Sequence, residues 1–288
     1  MSANGIRLHL AECGPASGEP VLLLHGFPEF WWSWRHQLTA LGAAGHRAVA
    51  VDLRGYCGSD RPPRGYDLWT LAGDVAGLVP ALGARRATVI GAGWGGAVAW
   101  TLATLHPRVV SRLAVVAAPH PLALRRAVRR RPWRWTRALR DVAFFQLPRL
   151  PERSLRRDRG AAAGAFLTAG AGAGWPASPE FAGVAAMHAA ALLTPRTSHC
   201  SLEYFRWAVR SQARPDGARF AAALERGVEV PVLHVRGEVD PWVPDAVVRD
   251  SARWAPAHEV VTVPGAGHFP HQEAPRHVGE VLLRRLSG

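Results

Sequence analysis

Short, continuously apolar runs alternate with stretches of helical spacing along the first 120 residues. Val21 to Leu24 is such a run, which is typical of a strand that is buried on both faces. Similar runs occur at 47–51, 87–90 and 113–117. The intervening segments with helical spacing are 34–42, 68–82 and 97–105. Gly5 to Glu12 alternates between apolar and polar residues, which predicts a first strand. The pattern predicts an α/β fold with a mostly parallel, doubly wound sheet.

This alternation stops at Pro119 and returns at 230–235, with a last predicted strand at 259–263 and a final helix from about 275 to 286. The chain between is rich in Arg, Ala and Pro, has helical spacing and lacks a clear buried strand. We expect its Ala/Gly tract at 160–174 to be a flexible loop. We therefore predict a first core part at 1–120, an inserted helical lid at 121–211 and a second core part at 212–288.

A strand, a sharp turn and a helix follow one another at 87–105, which is the context of a nucleophile elbow. The turn is Gly91-Ala92-Gly93-Trp94-Gly95-Gly96, and the nucleophile of an elbow is its middle residue. Here the middle residue is Gly93, which has no side chain. The same glycines resemble a dinucleotide-binding fingerprint imperfectly, and no suitably placed ribose-binding acid follows, so we expect no cofactor.

An acid and a histidine follow the elbow in the chain order of an α/β-hydrolase triad. Asp240 comes after one late predicted strand and His268 after the next. An imidazole that is oriented by a carboxylate can act as a general base or acid near neutral pH. We predict that His268 and Asp240 form a catalytic dyad, the alternative being a pair that persists without function.

Five motifs in the same order resemble the epoxide hydrolase branch of the α/β-hydrolase fold, together with the related haloalkane and haloacetate dehalogenases. They are His25-Gly26-Phe27-Pro28-Glu29 with Trp32-Ser33-Trp34-Arg35, Asp52-Leu53-Arg54-Gly55-Tyr56, Gly91 to Gly96, Gly237 to Pro241, and Gly265-Ala266-Gly267-His268-Phe269. The match covers both core parts, roughly two-thirds of the chain. The resemblance implies an α/β-hydrolase fold with an inserted lid, and mostly structural roles for Glu29 and Asp52.

In that branch an elbow aspartate attacks the substrate carbon, and a water activated by the histidine cleaves the resulting ester. By position, the resemblance implies that the backbone N–H groups of Phe27 and Trp94 form the oxyanion hole. It also implies two lid tyrosines that polarise the epoxide oxygen. The chain departs from this pattern at the elbow, at Ala92, which is usually His, and at the tyrosines. Those would fall near Asp141 and at Phe205, although an alignment shift of one would bring in Tyr204.

The vacant elbow permits three hypotheses. The favoured one is a cofactor-independent enzyme in which the dyad lets one part of a bulky substrate attack another, in natural-product biosynthesis. The others are a hydrolase that uses a water activated by His268, and a non-catalytic protein that binds a hydrophobic ligand. The expected ligand is an aromatic or polycyclic small molecule, because the chain has 12 tryptophans. The predicted pocket residues are His25, Trp31, Trp32, Tyr204, Phe205 and Trp207.

The charge is strongly positive, since 35 basic residues, all of them arginine, stand against 22 acidic residues for a formal net charge of +13. A GC-rich genome is one interpretation, and an anionic partner is the other. The densest basic run, Arg125 to Arg140, contains Trp133 and Trp135, a mixture that can bind single-stranded nucleic acid. No nucleic-acid-binding module surrounds it, so we expect no nucleic-acid partner.

The chain has no apolar stretch of about 18 residues and no signal-like N-terminus, which predicts a cytoplasmic protein without a membrane partner. Its three cysteines (Cys13, Cys57 and Cys200) are scattered, which favours reduced thiols over disulfides or a metal site. The histidines show no metal-ligand spacing, so no metal is expected. We expect a monomer or homodimer.

Overall fold

A seven-stranded sheet forms the centre of the fold in the computed structural model, which describes residues 1–286. A separate antiparallel ribbon is formed by β1 (Ser2–Ala3) and β2 (Ile6–Arg7). The strands of the large sheet are β3 (Leu10–Cys13), β4 (Pro20–Leu24), β5 (Arg47–Val51), β6 (Ala87–Ala92), β7 (Val110–Val116), β8 (Val232–Gly237) and β9 (His258–Val263). Their order is β3-β5-β4-β6-β7-β8-β9, and all neighbours are parallel except β3, which pairs antiparallel with β5 at the edge. The predicted α/β-hydrolase architecture is confirmed.

The central strands are apolar throughout because both faces of the sheet are covered. Alternate residues of β4 point to opposite faces, so Leu22 and Leu24 belong to one buried cluster, and Val21 and Leu23 to the other. The first cluster includes α2 (Leu68–Ala81) and α3 (Gly93–Leu105). The second includes α1 (Arg35–Ala43) and α13 (Pro275–Leu286).

The predicted strand at 5–12 is divided into β2 and β3. The amide of Leu8 donates to the carbonyl of Met1 at 2.7 Å, and that of His9 donates to Ser59 Oγ at 2.9 Å. The two residues between the strands are therefore bonded outside the sheet ladder, which the alternation of side chains did not reveal.

The described chain between β7 and β8 contains no strand. Its helices are α4 (Pro121–Arg130), α5 (Thr136–Phe145), α6 (Leu150–Arg156), α7 (Ala162–Gly170), α8 (Phe181–Leu193), α9 (Thr197–Arg210) and α10 (Pro215–Leu224). The flexible loop expected at 160–174 is wrong, because α7 occupies most of that tract. Alanine is the best helix former, and buried Ala163 and Leu167 fix the helix against its neighbours. The bounds of the lid at 121 and 211 stay a prediction.

The carboxyl ends of β4, β6, β8 and β9 lie at the same end of the sheet, because these strands are parallel. The loops that follow these carboxyl ends carry the candidate residues, as is usual in open α/β sheets. Two short helices, α11 (Asp245–Asp250) and α12 (Pro270–Glu273), follow the loops after β8 and β9. Within residues 1–286, no helix combines the length and the apolar character that a bilayer span requires.

Candidate active site

The turn between β6 and α3 has the geometry of a nucleophile elbow. Gly93 has a φ of +49°, in the left-handed region that favours glycine. The neighbouring Gly95 packs too closely for a side chain, since a Cβ on it would lie 2.2 Å from the carbonyl oxygen of Leu24. At Gly93 a Cβ would fit in ordinary van der Waals contact, 3.6 Å from Gly26 Cα and 3.7 Å from His268 Nε2. The middle position of the turn therefore faces the imidazole.

The imidazole of His268 is held by Asp240. Nδ1 of His268 donates to Oδ2 of Asp240 at 2.9 Å. Oδ1 of Asp240 accepts the amides of Trp242 at 2.8 Å and Val243 at 3.0 Å. This carboxylate is fully buried, whereas the imidazole keeps 14% of its surface exposed. The arrangement leaves Nε2 of His268 free to exchange a proton with a group beside Gly93.

Two opposing influences act on the charge of His268. Burial disfavours the imidazolium, but the adjacent charge of Asp240 and the hydrogen bond to it outweigh burial, so the pKa of His268 is raised. A base of this kind is neutral only above its raised pKa. The dyad therefore has the electrostatics of a proton-transfer pair.

The backbone around His268 is fixed by Glu273. One oxygen of its carboxylate accepts the amides of Gly267 and Gly172, both at 2.8 Å, and the other accepts the amide of Phe269 at 2.9 Å. Burial raises the pKa of Glu273 despite these three amides. The amide of His268 itself donates to Gly170 at the end of α7, at 2.7 Å. The loop after α7 is thus joined to the histidine loop, a link that the sequence analysis missed.

The two predicted oxyanion residues lie next to the elbow. Trp94 is the second residue of α3, and the first amides of a helix have no intrahelical acceptor. Phe27 follows Gly26, whose Cα is the nearest atom to where a Cβ on Gly93 would lie. The N–H groups of Phe27 and Trp94 therefore belong to the two segments that meet at Gly93.

Aromatic rings pack around Phe27, Trp94 and His268. Phe205 on α9 packs edge-to-face against Phe27 at 5.2 Å and Trp94 at 5.1 Å, between ring centroids. On the other side, Trp242 lies 4.7 Å from the ring of His268 and 4.5 Å from that of Phe166 on α7. Trp242 and Phe166 were not predicted. Trp242 could have been found from its position two residues after Asp240, whereas nothing in the sequence places Phe166.

The tyrosine position is occupied by Phe205, and Tyr204 does not replace it. The hydroxyl of Tyr204 donates to the carbonyl of Arg54 at 2.7 Å, and its side chain is fully buried. Its ring contacts that of Trp94 at 5.8 Å, so it supports the site without presenting a hydroxyl to it. Asp141 forms an exposed ion pair with Arg140.

Other predicted pocket residues have different surroundings. Nδ1 of His25 donates to the carbonyl of Gly26 at 2.8 Å, and Nε2 accepts the amide of Leu53 at 3.1 Å, so both ring nitrogens hold loops; this tautomer follows from the two partners. Trp31 lies beside His9, Trp32 stacks on Phe30 beneath the guanidinium of Arg35, and Trp207 packs on Phe220 of α10. Of the six, Phe205 alone packs on both predicted oxyanion residues, judged within residues 1–286.

The structural roles implied for the two other acids agree with their contacts. Glu29 accepts Gly26 N–H at 3.0 Å on one oxygen, and on the other the side chains of His271 at 2.9 Å and Gln272 at 2.7 Å. Burial opposes its charge, but His271 outweighs burial and lowers the pKa of Glu29 to about 2. Asp52 accepts the amides of Trp31 and Gly58. In the part of the chain that the structure describes, no group of three or more His, Cys, Asp or Glu side chains is arranged to hold a metal ion.

A family model of the α/β-hydrolase fold matches residues 19–275. The chain belongs to the α/β-hydrolase family. Full-length relatives include epoxide hydrolase A of Mycobacterium tuberculosis, 33% identical over 328 aligned positions that cover 100% of this chain and 96% of that protein. The AB hydrolase superfamily protein YfhM of Bacillus subtilis is 31% identical over 290 positions, covering 99% of this chain and 96% of the relative.

Solved structures agree with this assignment. An epoxide hydrolase from an endophytic Streptomyces superposes with a TM-score of 0.80 at 29% identity, over 100% of this chain and 94% of that one. An epoxide hydrolase mutant from Bacillus megaterium has a TM-score of 0.85 at 24% identity, over 100% and 99% of the two chains, which shows the shared fold. This α/β-hydrolase therefore has epoxide hydrolase-like homologues.

Proposed function

We propose that this α/β-hydrolase is an epoxide hydrolase-like enzyme without a covalent protein nucleophile, and that His268 and Asp240 catalyse proton transfer on a bulky aromatic or apolar substrate. The observation that carries the proposal is the pairing of Gly93, at φ +49°, with Nε2 of His268, 3.7 Å from where a Cβ would lie. Glycine offers no attacking atom, but the base that faces it is completely oriented by Asp240.

In the proposed reaction, Nε2 of His268 removes a proton from a phenol, an enol or an acidic carbon of the substrate. The resulting anion opens an epoxide, or adds to a carbonyl, in the same or a second bound molecule. The N–H groups of Phe27 and Trp94 stabilise the oxyanion that develops, and the imidazolium returns its proton to that oxygen. No cofactor is required, because holding the reacting groups together can supply about 7–11 kcal/mol of the barrier.

The aromatic rings and the missing side chain at Gly93 support the proposal of a bulky substrate. Trp94 follows Gly93 and packs on Phe205, and Trp242 packs on the ring of His268, so apolar surface lies near the elbow and near the base. A water route gains nothing evident from loss of the carboxylate, whereas a large substrate gains space. Ring closure or carbon–carbon or carbon–oxygen bond formation in natural-product biosynthesis is the setting that this chemistry favours.

A hydrolase with an activated water is the second candidate. The lack of a side chain at Gly93, opposite Nε2 of His268, is the observation in its favour, since a water in place of that side chain would face the base. In this reaction Nε2 of His268 removes a proton from the water, the hydroxide attacks an epoxide carbon while its bond to the ring oxygen breaks, and the imidazolium returns the proton to that oxygen, so the diol gains one oxygen from solvent.

The test uses aryl epoxides that carry a phenol or an enolisable carbonyl in the same molecule, turned over in ¹⁸O-labelled water and analysed by mass spectrometry. Ring closure leaves the mass unchanged, whereas hydrolysis adds one labelled oxygen. His268→Ala should lower kcat by about 10²–10⁴ but keep substrate binding, and His277→Ala, at an exposed position, is the matched control. If the biological role of the protein is unchanged in His268→Ala, the protein only binds a hydrophobic ligand.

A further inference from the structure

Most of the net positive charge of the chain is concentrated in one stretch. Residues 125–159 contain 13 arginines and three acidic residues, a surplus of ten out of the formal net charge of +13. Two of the three acids are already in ion pairs, Asp141 with Arg140 and Glu152 with Arg206. A GC-rich genome would raise the arginine content along the whole chain. The concentration in 35 residues therefore needs a local explanation.

Large apolar side chains are exposed in the same stretch. Within residues 1–286, five of the ten exposed large apolar side chains lie here, namely Trp133, Leu139, Phe144, Leu147 and Leu150. Trp133 is the most exposed of all, at 67%, and it lies between the exposed Arg131 and Arg134. We call the exposed side chains of residues 129–150 the outer lid face. Basic and apolar groups interleave along it. Single exposed apolar residues are normal on a protein surface, whereas several large ones in one region mark an interaction site.

Helix α5 has apolar side chains on both of its sides. Phe145 is buried and packs against Phe27 at 6.2 Å and Phe205 at 5.1 Å, so the inner side touches the candidate site. Leu139 and Phe144 are exposed on the outer side, with Arg140 beside them. The helix therefore separates the aromatic covering of the site from the outer lid face.

We propose that the outer lid face docks on an anionic lipid surface. Basic side chains near such a surface contribute about 1 kcal/mol each, and Trp, Phe and Leu enter the boundary between head groups and acyl chains. The residues bind peripherally, which is consistent with the lack of a spanning helix in residues 1–286. This inference replaces the expectation of no membrane partner, and it stands independently of the proposed reaction.

Two other occupants fit the face less well. A second copy of the chain, docked through the same face, would bring two surpluses of positive charge together. A single-stranded nucleic acid would pair with the arginines and stack on Trp133, but the exposed leucines offer it no stacking surface. An anionic bilayer matches both the charge and the aliphatic groups. Docking would place α5 between the lipid, where an apolar substrate accumulates, and the rings of Phe27 and Phe205.

The experiment measures co-sedimentation of the full chain with vesicles of phosphatidylcholine alone or of an equimolar mixture with phosphatidylglycerol. Binding is expected for the mixture only, and it should weaken as salt is added. Substitution of Arg130, Arg131 and Arg134 together by Glu should lower the partition coefficient roughly 100-fold or more. The matched control reverses Arg85, Arg219 and Arg226, which are exposed outside the stretch, and should retain most of the binding.

The apolar part of the face is tested with Trp133→Ala, which should weaken partitioning about tenfold. Its control is Trp69→Ala, because Trp69 is also exposed but lies on α2. Thermal unfolding of each variant separates lost binding from lost folding. The proposal is overturned by equal binding to both vesicle types, by equal losses in the two triple variants, or by an unchanged partition in Trp133→Ala. A single-stranded oligonucleotide that binds where vesicles do not would assign the face to nucleic acid.

Discussion

The two sides of the candidate site differ. On one side, hydrogen bonds of Asp240 and Glu273 hold His268 and its loop. On the opposite side, at the elbow, Gly93 presents only its backbone. Asp240 accepts three hydrogen bonds and Glu273 accepts three more around the same loop. At the elbow, a non-glycine residue at φ +49° would cost about 1–3 kcal/mol, and glycine removes that cost together with the side chain. The contrast teaches that proton transfer and nucleophilic attack are separable in this fold. One can be built fully while the other is left to a bound molecule.

The largest effect is expected from breaking the dyad. Asp240→Asn removes the negative charge beside Nδ1 of His268 and allows the wrong ring nitrogen to carry the proton. General base catalysis contributes about 10²–10⁴ in rate, so kcat should fall by about that factor in Asp240→Asn and in His268→Ala. Steady-state kinetics with the most reactive substrate measures the loss. Wild-type rates in either variant would mean that the dyad is not catalytic.

The next effect sharpens the contrast by loosening the histidine loop without touching the dyad. Glu273→Ala leaves the amides of Gly172, Gly267 and Phe269 without their acceptor. Each buried amide without a partner costs about 1–3 kcal/mol, and misplacement of the imidazole by about 1 Å costs up to about 100-fold in rate. We expect a lower melting temperature and a reduced kcat with little change in KM.

A matched control is a carboxylate that bonds the same histidine loop from the loop after β8. Glu238→Ala removes an exposed carboxylate that accepts the amide of Gly265 at 2.9 Å. It should change neither the melting temperature nor kcat appreciably, because water replaces the lost acceptor. Similar losses in both variants would show that any change in this loop is harmful, and that Glu273 has no special positioning role.

Parts of this contrast could be predicted from the sequence because they depend on local chemistry. The buried run at 21–24 indicates a parallel strand, and the glycines around Gly93 indicate a turn whose neighbours approach closely. The order of Asp240 and His268 after the late strands indicates a dyad. Each of these signals is contained in a few adjacent residues.

The rest could not be predicted, because it depends on how distant segments pack. Tyr204 and Phe205 are adjacent on α9, so a helical rotation of about 100° decides which ring packs on Phe27. Phe166 reaches Trp242 only because α7 forms and its buried face packs on distant segments, which the Ala/Gly composition of the tract does not reveal. Pairing of Glu273 with Gly172 joins residues about one hundred positions apart.

Filling the elbow tests its empty side. Gly93→Asp introduces a Cβ that does not clash, since the nearest atoms to it would lie at 3.6 and 3.7 Å. The left-handed backbone should nevertheless lower the free energy of unfolding by about 1–3 kcal/mol. Because Phe205 provides no hydroxyl and that of Tyr204 is bonded to Arg54, we expect little epoxide hydrolysis. Denaturant titration and a diol assay measure the two effects, and Gly93→Ala controls for backbone strain. Brisk diol formation would show that the remaining site is intact for covalent hydrolysis.

The smallest effect is a displacement of the pH profile, and it reports on the histidine side alone. His268 acts as a base only when it is neutral, so kcat/KM should rise with pH through its pKa in the free enzyme. That pKa is raised above the ordinary value of 6.5 because Asp240 outweighs burial, and the rising limb should therefore lie above pH 6.5. In Asp240→Asn burial becomes the dominant influence and lowers the pKa of His268, so the rising limb of the residual activity should lie at lower pH. A limb in the same place in both proteins would mean that another group supplies the base. Asp245→Asn, at a surface ion pair with Arg249, should leave the limb unchanged.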